Sequence, residues 1–170
     1  IVLDVSLKGA SGIEAAKDIK ALFPNVKILM LSMHDENIYA SRALKAGAQG
    51  YIMKQEAPEK VLLALRKVLN GDVYVSERYG SRLLSNFAGG RGNASTSPVD
   101  NLSDRELEVF SFIGRGFGTR AIAEKLNLSV KTIESHRAHI KEKLNLESAT
   151  ELVHYAIQWE QGENLTIAAA

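Results

Sequence analysis

The chain has 170 residues, of which 45% are hydrophobic and 24% charged, and its formal net charge at pH 7 is +1. Such a length and composition are ordinary for one or two soluble globular domains. The sequence contains no cysteine, which excludes disulfide bonds and thiolate metal sites, and no apolar run approaches the ~18 residues of a membrane-spanning helix. We therefore expect a cytoplasmic protein that makes no use of a membrane.

The first part of the chain alternates between apolar strands and amphipathic helices. Strands are predicted at residues 1–4, 26–31 and 50–53, and helices at residues 11–22, 36–46 and 58–70. A Ser-x-x-Glu capping box opens the first helix, and Pro58 and Gly71 bracket the last one. This alternation predicts an α/β, doubly wound parallel sheet, in which ligands bind at the carboxyl ends of the strands.

Three polar side chains follow the predicted strands, namely Asp4, Ser32 and Lys54. A carboxylate can act as a nucleophile toward a phosphoryl group, and a hydroxyl can donate to the phosphoryl oxygens. An ammonium can neutralise the added charge of about −1.5 to −2. Side chains of the same types are also common as solvated strand termini. The spacing alone therefore leaves a phosphate site and an ordinary polar edge open as alternatives.

Residues 85–101 differ sharply in composition, because they are rich in Gly, Ser and Asn and hold almost no apolar residues. They predict a flexible linker between two domains, with an ordered surface loop as the alternative. Residues 102–160 then predict four helices, the first opened by a capping box at Ser103 and Glu106 and ended by the glycines at 114–118. Residues 161–170 are expected to form a disordered tail.

The second and third of these helices predict a helix-turn-helix. Residues 119–126 and 130–144 are separated by a tight turn, and Ser129 stands at the N-cap position of the second helix. The apolar positions expected to face the core are Ile122, Ala123 and Leu126 in the first helix and Ile133, Ile140 and Leu144 in the second. The opposite face of the second helix then carries small and polar residues, namely Lys131, Glu134, Ser135 and Ala138. Such a face can enter the DNA major groove. It is also compatible with an ordinary solvated helix in a small bundle.

The charge of the second domain is nearly balanced. Residues 102–160 carry eight Lys and Arg side chains against nine Asp and Glu. Positive charge nevertheless concentrates between residues 130 and 144, where four basic side chains and two histidines stand against two acidic ones. Because basic side chains contact phosphates and release counterions, this distribution predicts a modest, salt-sensitive affinity for double-stranded DNA.

Two sets of motifs resemble known families. L-D-V-S-L-K-G-x-S-G at 3–12, L-S-M-H at 31–34 and K-A-G-A-Q-G-Y-I-M-K at 45–54 resemble the later part of a response-regulator receiver domain. L-S-x-R-E at 102–106, R-A-I-A-E-K-L at 120–126, S-V-K-T-I-E-S-H-R at 129–137 and K-L-N-L at 143–146 resemble the DNA-binding domain of LuxR-type regulators. The chain thus resembles a two-component response regulator of the NarL/FixJ type.

The resemblance implies an order of domains. Residues 1–84 would form a flavodoxin-like receiver without its first strands, and residues 85–101 would form the linker. Residues 102–160 would form an all-α, four-helix helix-turn-helix domain, followed by the tail at 161–170. By ordinary element lengths, about 35 to 50 residues of a receiver would precede Ile1. We expect the sequence to be part of a longer chain, with a natural truncated regulator as the alternative.

The resemblance also implies roles in the receiver. Asp4 matches the phosphoacceptor, Ser32 and Tyr51 match the switch residues, and Lys54 matches the lysine that contacts the phosphate. Mg²⁺ is the implied cofactor, bound by Asp4 and by the backbone carbonyl of Ser6. The remaining acidic ligands of that site would come from a strand that is absent from this sequence.

In the second domain the resemblance implies DNA contacts and a dimer. Lys131, Glu134, Ser135 and Ala138 would face the base edges, whereas the phosphate contacts would come from Thr132, Arg137 and Lys143. The last helix would make homodimer contacts, which would place two recognition helices about one DNA turn, ~34 Å, apart. The implied partners are double-stranded DNA and a cognate sensor histidine kinase.

We hypothesise that phosphorylation of Asp4 pulls Ser32 and Tyr51 inward, remodels the surface around helix 36–46, and thereby alters dimerisation and frees the helix-turn-helix. One alternative is a DNA-binding regulator independent of phosphorylation, and another is a protein-interaction adaptor. A small aspartyl-phosphate phosphatase is less favoured, because Ser6 stands where such an enzyme would need a second acid. We therefore do not expect an enzyme.

Overall fold

A computed structural model describes residues 1–7, 10–88 and 97–168. The chain divides into two compact units, residues 1–94 and 95–170, which we call the first and second units. None of the helices in the described ranges is both long enough and apolar enough to span a membrane.

The first unit is built on a parallel sheet. Its elements are β1 (Val2–Asp4), β2 (Ser6–Leu7), β3 (Ala10–Ser11), α1 (Gly12–Leu22), β4 (Leu29–Ser32), α2 (Glu36–Lys45), β5 (Gly50–Met53), α3 (Pro58–Asn70) and α4 (Glu77–Ala88). The sheet has the order β1-β4-β5, and both pairs are parallel. In its register Asp4 lies opposite Leu31, and Ser32 lies opposite Met53. The predicted α/β class is therefore confirmed, with the strand ends at one edge.

The predicted helix boundaries of the first unit follow from local capping. The Ser11 hydroxyl accepts from the Glu14 amide, and the Asp35 carboxylate accepts from the Asn37 amide. Gly71 closes α3 in the left-handed conformation at φ 96°, which glycine adopts without strain. Buried residues of β4, β5 and α3 form the core between sheet and helix, namely Leu29, Ile52, Ala64 and Val68.

Three features of the first unit were not predicted. The strand β4 begins at Leu29 instead of residue 26, because the Leu29 amide donates to the carbonyl of Ile1, the first residue of the neighbouring segment. The short β2–β3 hairpin follows β1 directly. The helix α4 follows the receiver-like elements, and its Tyr79 side chain is buried. Two-residue strands carry no alternation from which they could be predicted.

The second unit contains a 3₁₀ turn at Pro98–Asn101 and four helices: α5 (Asp104–Gly114), α6 (Thr119–Leu126), α7 (Val130–Leu144) and α8 (Ala149–Ala168). The helix α5 packs against α7 and α8, and α6 packs against α7. The buried residues shared by these contacts include Phe110, Ile122, Ile133, Ile140 and Leu152. The predicted four-helix architecture is confirmed, including the capping box of Ser103 and Glu106.

The predicted linker and tail differ from the structure at their ends. The helix α4 extends to Ala88, and the 3₁₀ turn at Pro98–Asn101 buries Val99, so both borders of the 85–101 segment are ordered. Residues 89–96, on which the prediction of a flexible linker mainly falls, lie outside the described residues. The helix α8 continues to Ala168, past the expected start of a disordered tail at residue 161. A single Gly162 costs only about 1 kcal/mol inside a helix and did not end it.

Candidate functional sites

Asp4 and Lys54 meet at the carboxyl edge of the sheet. Asp4 ends β1, Lys54 follows β5, and the Lys54 Nζ lies 2.5 Å from the Asp4 Oδ2. The side chains are 32% and 36% exposed, so both remain accessible to a reactant from solution. The Lys54 amide also donates to the Ser32 carbonyl at 2.7 Å, which brings the ends of β4 and β5 together. The edge therefore presents an accessible carboxylate already paired with a cation.

A buried hydrogen-bond network lies behind this carboxylate. The Ser32 hydroxyl accepts from the His34 amide at 3.0 Å, and the Tyr51 hydroxyl donates to the His34 carbonyl at 2.9 Å. Ser32 and Tyr51 have no exposed surface. Burial raises the pKa of the Tyr51 phenol, an effect that its hydrogen bond to the Ser32 side chain only partly opposes. The phenol is therefore held neutral, as a hydrogen-bond donor.

Ser32 and Tyr51 both lie in the interior of the first unit. The His34 ring adds a contact that we did not predict, since its Nε2 lies 2.7 Å from the Ser6 hydroxyl. Its centroid also lies 4.7 Å from that of Tyr39 in α2. His34 was part of a quoted motif, but its place beside Ser6 depends on the hairpin, which the sequence does not reveal.

The loop after β1 supplies oxygen atoms of the kind that Mg²⁺ prefers. The Asp4 Oδ1 accepts from the Ser6 amide at 3.1 Å. Carboxylate and backbone carbonyl oxygens, such as those of Asp4 and Ser6, are the ligands that Mg²⁺ prefers. In the described ranges, no group of three or more His, Cys, Asp or Glu side chains is placed to hold a metal ion. The residues of this chain therefore fit Mg²⁺ in kind but provide only part of a site.

The helix-turn-helix is formed by α6 and α7. Asn127 closes α6 in the left-handed conformation at φ 53°, and the Ser129 hydroxyl accepts from the Thr132 amide at 3.0 Å to open α7. The predicted inward residues of both helices are buried, namely Ile122, Ala123, Leu126, Ile133, Ile140 and Leu144. The turn and the core thus fix which face of α7 is directed away from the unit.

The outward face of α7 carries the residues assigned to base edges. Lys131, Glu134, Ser135 and Ala138 are all exposed. Two of the four side chains on this face, Ser135 and Ala138, are small, so the helix backbone could come close to the base edges in a DNA major groove. The exposed Lys125 of α6 lies over the Phe117 ring, with its Nζ 4.6 Å from the ring centroid.

The three residues assigned to phosphates lie in different surroundings. Arg137 is half-buried at the side of α7. Thr132 is half-buried too, and its hydroxyl lies 2.7 Å from that of Ser129, within the cap. Lys143 points to α5, where its Nζ donates to the Glu106 carboxylate at 2.7 Å. Arg137 and Thr132 are therefore both partly accessible on α7, whereas the ammonium of Lys143 is paired within the unit.

Two carboxylates of α5 are functional candidates that we did not predict. Glu106 was assigned only to a capping box, but it also binds Lys143 of α7. Glu108 pairs with Arg105, whose guanidinium also donates to the Leu126 carbonyl at the end of α6. In the sequence, Glu106 and Glu108 are visible only as charged residues beside the apolar positions of a helix. That pattern does not show which residues of other helices they contact.

Comparisons with known proteins agree with this architecture. Residues 1–66 match the family model of the response regulator receiver domain, and residues 100–156 match that of bacterial regulatory proteins of the luxR family. The oxygen regulatory protein NreC of Staphylococcus carnosus is 41% identical over 162 residues, which are 93% of this chain and 75% of that protein. NreC of Staphylococcus epidermidis is 42% identical over 163 residues, with the same coverage.

Among solved structures, RcsB from Salmonella enterica serovar Typhimurium, bound to promoter rprA in the presence of the phosphomimetic BeF₃⁻, is 33% identical. The match covers 91% of this chain and 73% of the RcsB chain, with a TM-score of 0.47.

Proposed function

The chain belongs to the response regulators that join a receiver domain to a LuxR-type DNA-binding domain, and we propose that Asp4 is its phosphoacceptor and α7 its DNA-reading helix. Proteins of this family are DNA-binding transcription regulators of two-component systems. The observation that carries the proposal is the pairing of Asp4 with Lys54 at 2.5 Å, at the carboxyl edge of a parallel sheet.

In the proposed reaction the phosphoryl group comes from a phosphohistidine of a sensor histidine kinase. A carboxylate oxygen of Asp4 attacks the phosphorus atom, an O–P bond forms, and the P–N bond to the histidine breaks with its electron pair returning to the ring nitrogen. The Lys54 ammonium then pairs with the phosphoryl oxygens instead of the carboxylate. The Ser32 hydroxyl donates to another of those oxygens.

Receiver domains generally bind Mg²⁺, and we infer that the Asp4 carboxylate and the Ser6 carbonyl are its ligands from this chain. Bound there, the ion would neutralise negative charge on the phosphoryl oxygens. The Ser6 amide holds the Asp4 carboxylate in place through Oδ1, while the Ser6 hydroxyl contacts His34. The loop thus orients the nucleophile independently of the ion.

Contacts between α2 and α4 could transmit a change at the phosphorylation site to the second unit. The Ser76 amide, just before α4, donates to the Glu36 carboxylate at 2.7 Å, and Arg82 of α4 donates to Asn37 at 2.7 Å. Glu36 and Asn37 open α2, which follows Ser32 by only a few residues. We infer that a shift of Ser32 toward an aspartyl phosphate would move the start of α2 and loosen α4, which leads along the chain to the second unit.

The variant Asp4→Asn is expected to lose phosphorylation completely while keeping its fold, because the amide has nearly the shape of the carboxylate but is not a nucleophile. The measurement is intact mass after treatment with a small-molecule phosphodonor and Mg²⁺, together with the molecular mass by light scattering. Wild type should gain one phosphoryl group and shift toward dimers.

The exposed Asp72→Asn is the matched control and should behave as wild type. A phosphoryl group gained by Asp4→Asn would refute Asp4 as the phosphoacceptor, whereas none gained by wild type would favour a DNA-binding regulator independent of phosphorylation. Repeated release of phosphate from a generic phosphate ester would instead favour the aspartyl-phosphate phosphatase.

We propose that α8 contributes to a homodimer. Leu152 and Ala156 are buried against α5, whereas Val153 and Ile157 on the same helix are only partly buried. Val153 and Ile157 thus leave part of the apolar surface of α8 available for another contact. A twofold contact along this helix would present two α7 helices to successive major grooves.

The variant Lys131→Ala is expected to weaken binding to the selected DNA site by ~1 to 3 kcal/mol and to relax base preference, since a lysine at this position can donate to guanine. The site is obtained by selection from a random duplex library, and affinity is measured by fluorescence anisotropy. Lys27→Ala removes the same charge from an exposed position of the first unit and should leave affinity unchanged. Equal affinities of Lys131→Ala and wild type would exclude Lys131 from the DNA contacts, and failure of wild type to select any duplex would favour the protein-interaction adaptor.

A further inference from the structure

Glu106 forms a charged junction between α5 and α7. Its side chain is only 6% exposed, although it carries a full charge. The Oε2 accepts from the Ser103 amide at 2.7 Å and from the Lys143 Nζ at 2.7 Å, and the Oε1 lies 3.9 Å from the Nδ1 of His139. One carboxylate therefore caps α5 and binds two side chains of α7.

The junction is electrostatically tight. Burial raises the pKa of the Glu106 carboxyl, but the hydrogen bonds from Lys143 and Ser103 outweigh burial and hold its pKa below the ordinary value. Glu106 is therefore ionised wherever the unit is folded at neutral pH, and it needs a cation beside it. His139 is 61% exposed and more distant, which leaves Lys143 as the close cation of this carboxylate.

The ion pair of Lys143 and Glu106 holds the C-terminal end of α7 against α5. Lys143 lies in the last turn of α7, next to the buried Leu144, whereas the residues assigned to base edges lie within the first nine residues of the helix. The first turn of α7 is held by the Ser129 cap. The contact with Glu106 holds the other end against α5. A long helix fixed at both ends has one orientation relative to its own unit.

We propose that Lys143 is a positioning residue for DNA binding: its ammonium, held by Glu106, fixes the orientation of α7 instead of contacting a DNA phosphate. The proposal rests on the proposed DNA-binding function of α7. This role differs from the phosphate contact that the family resemblance implies for Lys143. Taking Lys143 to a phosphate would leave a nearly buried carboxylate without its close cation.

Salt dependence separates the two roles. Each phosphate contact contributes about 0.9 to the slope of log affinity against log salt concentration. Lys143→Met removes the charge but keeps the apolar stem, and we expect about tenfold weaker binding to the selected duplex with an unchanged slope. Arg137→Met, which removes a candidate phosphate contact, should lower the slope by about 0.9.

Two further variants test the route through Glu106. Glu106→Gln keeps an acceptor for the Ser103 amide and should weaken binding as much as Lys143→Met. The variant that carries both substitutions should bind DNA no more weakly than either single variant, because each substitution removes the same contact. Lys143→Arg can still reach the carboxylate and should restore affinity. Helical circular dichroism of each variant checks that the unit is folded.

A slope lowered by about 0.9 in Lys143→Met, or additive losses in the double variant, would overturn the positioning role in favour of a phosphate contact. Unchanged affinity in Lys143→Met would overturn it as well. These results all require a wild-type protein that binds DNA. Absence of any salt-dependent binding by wild type would instead refute the proposed function, and the positioning role with it.

Discussion

Replacing Arg105 with methionine is expected to lower the free energy of unfolding of the second unit by about 3 to 5 kcal/mol. The Arg105 side chain is 10% exposed and that of Glu108 is 3% exposed, and their charged atoms lie 2.5 Å apart. The guanidinium also donates to the Leu126 carbonyl at 3.2 Å, which satisfies the end of α6. The variant would leave the buried Glu108 carboxylate without this cation. Losing a buried partner costs far more free energy than losing one from an exposed ion pair.

The single tryptophan makes the measurement specific. Trp159 lies in α8, with its ring 5.4 Å from that of Phe110 in α5, so its fluorescence follows unfolding of the second unit in urea. Arg120→Met changes an exposed arginine of the same unit and should alter stability by less than about 0.5 kcal/mol. The double variant Arg105→Met, Glu108→Leu should recover most of the loss, because an apolar pair can replace a buried ion pair. A decrease in the free energy of unfolding of less than about 1 kcal/mol in Arg105→Met would contradict the stabilising role of the Arg105–Glu108 pair.

The variant Gly12→Ala is expected to destabilise the first unit by about 3 kcal/mol, at the upper end of overpacking effects. A Cβ at position 12 would lie 1.8 Å from the carbonyl oxygen of Asp4, a distance that no contact permits. The Gly12 amide donates to the Val5 carbonyl at 2.7 Å, so α1 cannot move away without breaking that bond. The displaced backbone is that of Asp4, the proposed phosphoacceptor, and we therefore also expect slower phosphorylation.

Gly80 provides the matched control for Gly12→Ala. A Cβ at Gly80, in the interior of α4, would meet only a Val75 methyl at 3.7 Å, so Gly80→Ala should be neutral or gain up to about 1 kcal/mol. Four of the five tyrosines lie in the first unit, so near-ultraviolet circular dichroism in urea reports its unfolding. Equal stability of Gly12→Ala and wild type would show that the loop after β1 is able to rearrange.

The fold could be predicted from the sequence where a period or a cap specified it. The alternation of apolar strands and amphipathic helices was sufficient for the parallel sheet, and the capping box at Ser103 and Glu106 opened α5 where expected. The helix-turn-helix followed from the spacing of Ile133, Ile140 and Leu144. These signals are local, because the residues that form them lie within a few turns of one another.

The partners of charged side chains could not be predicted in the same way. Lys143 and Glu106 are 37 positions apart, and their contact depends on how α5 and α7 cross. The sequence showed Lys143 only as a basic residue in the last turn of the predicted recognition helix, and the resemblance to the family implied a phosphate contact for it. The same reason applies to His34, which reaches Ser6 only because the β2–β3 hairpin folds back.

The buried phenol of Tyr51 has a consequence for acidity. Because burial raises the pKa of this side chain, the neutral form is favoured in the folded state, and its contribution to stability is complete below the pKa of a free phenol. That contribution is lost only as the solution becomes more alkaline than the raised value. Across the ordinary range of cellular acidity, the hydroxyl thus keeps its proton and its bond to the His34 carbonyl. The Tyr51 contact is therefore independent of pH below the ordinary pKa of a phenol, and titration of this side chain cannot break the hydrogen bond in that range.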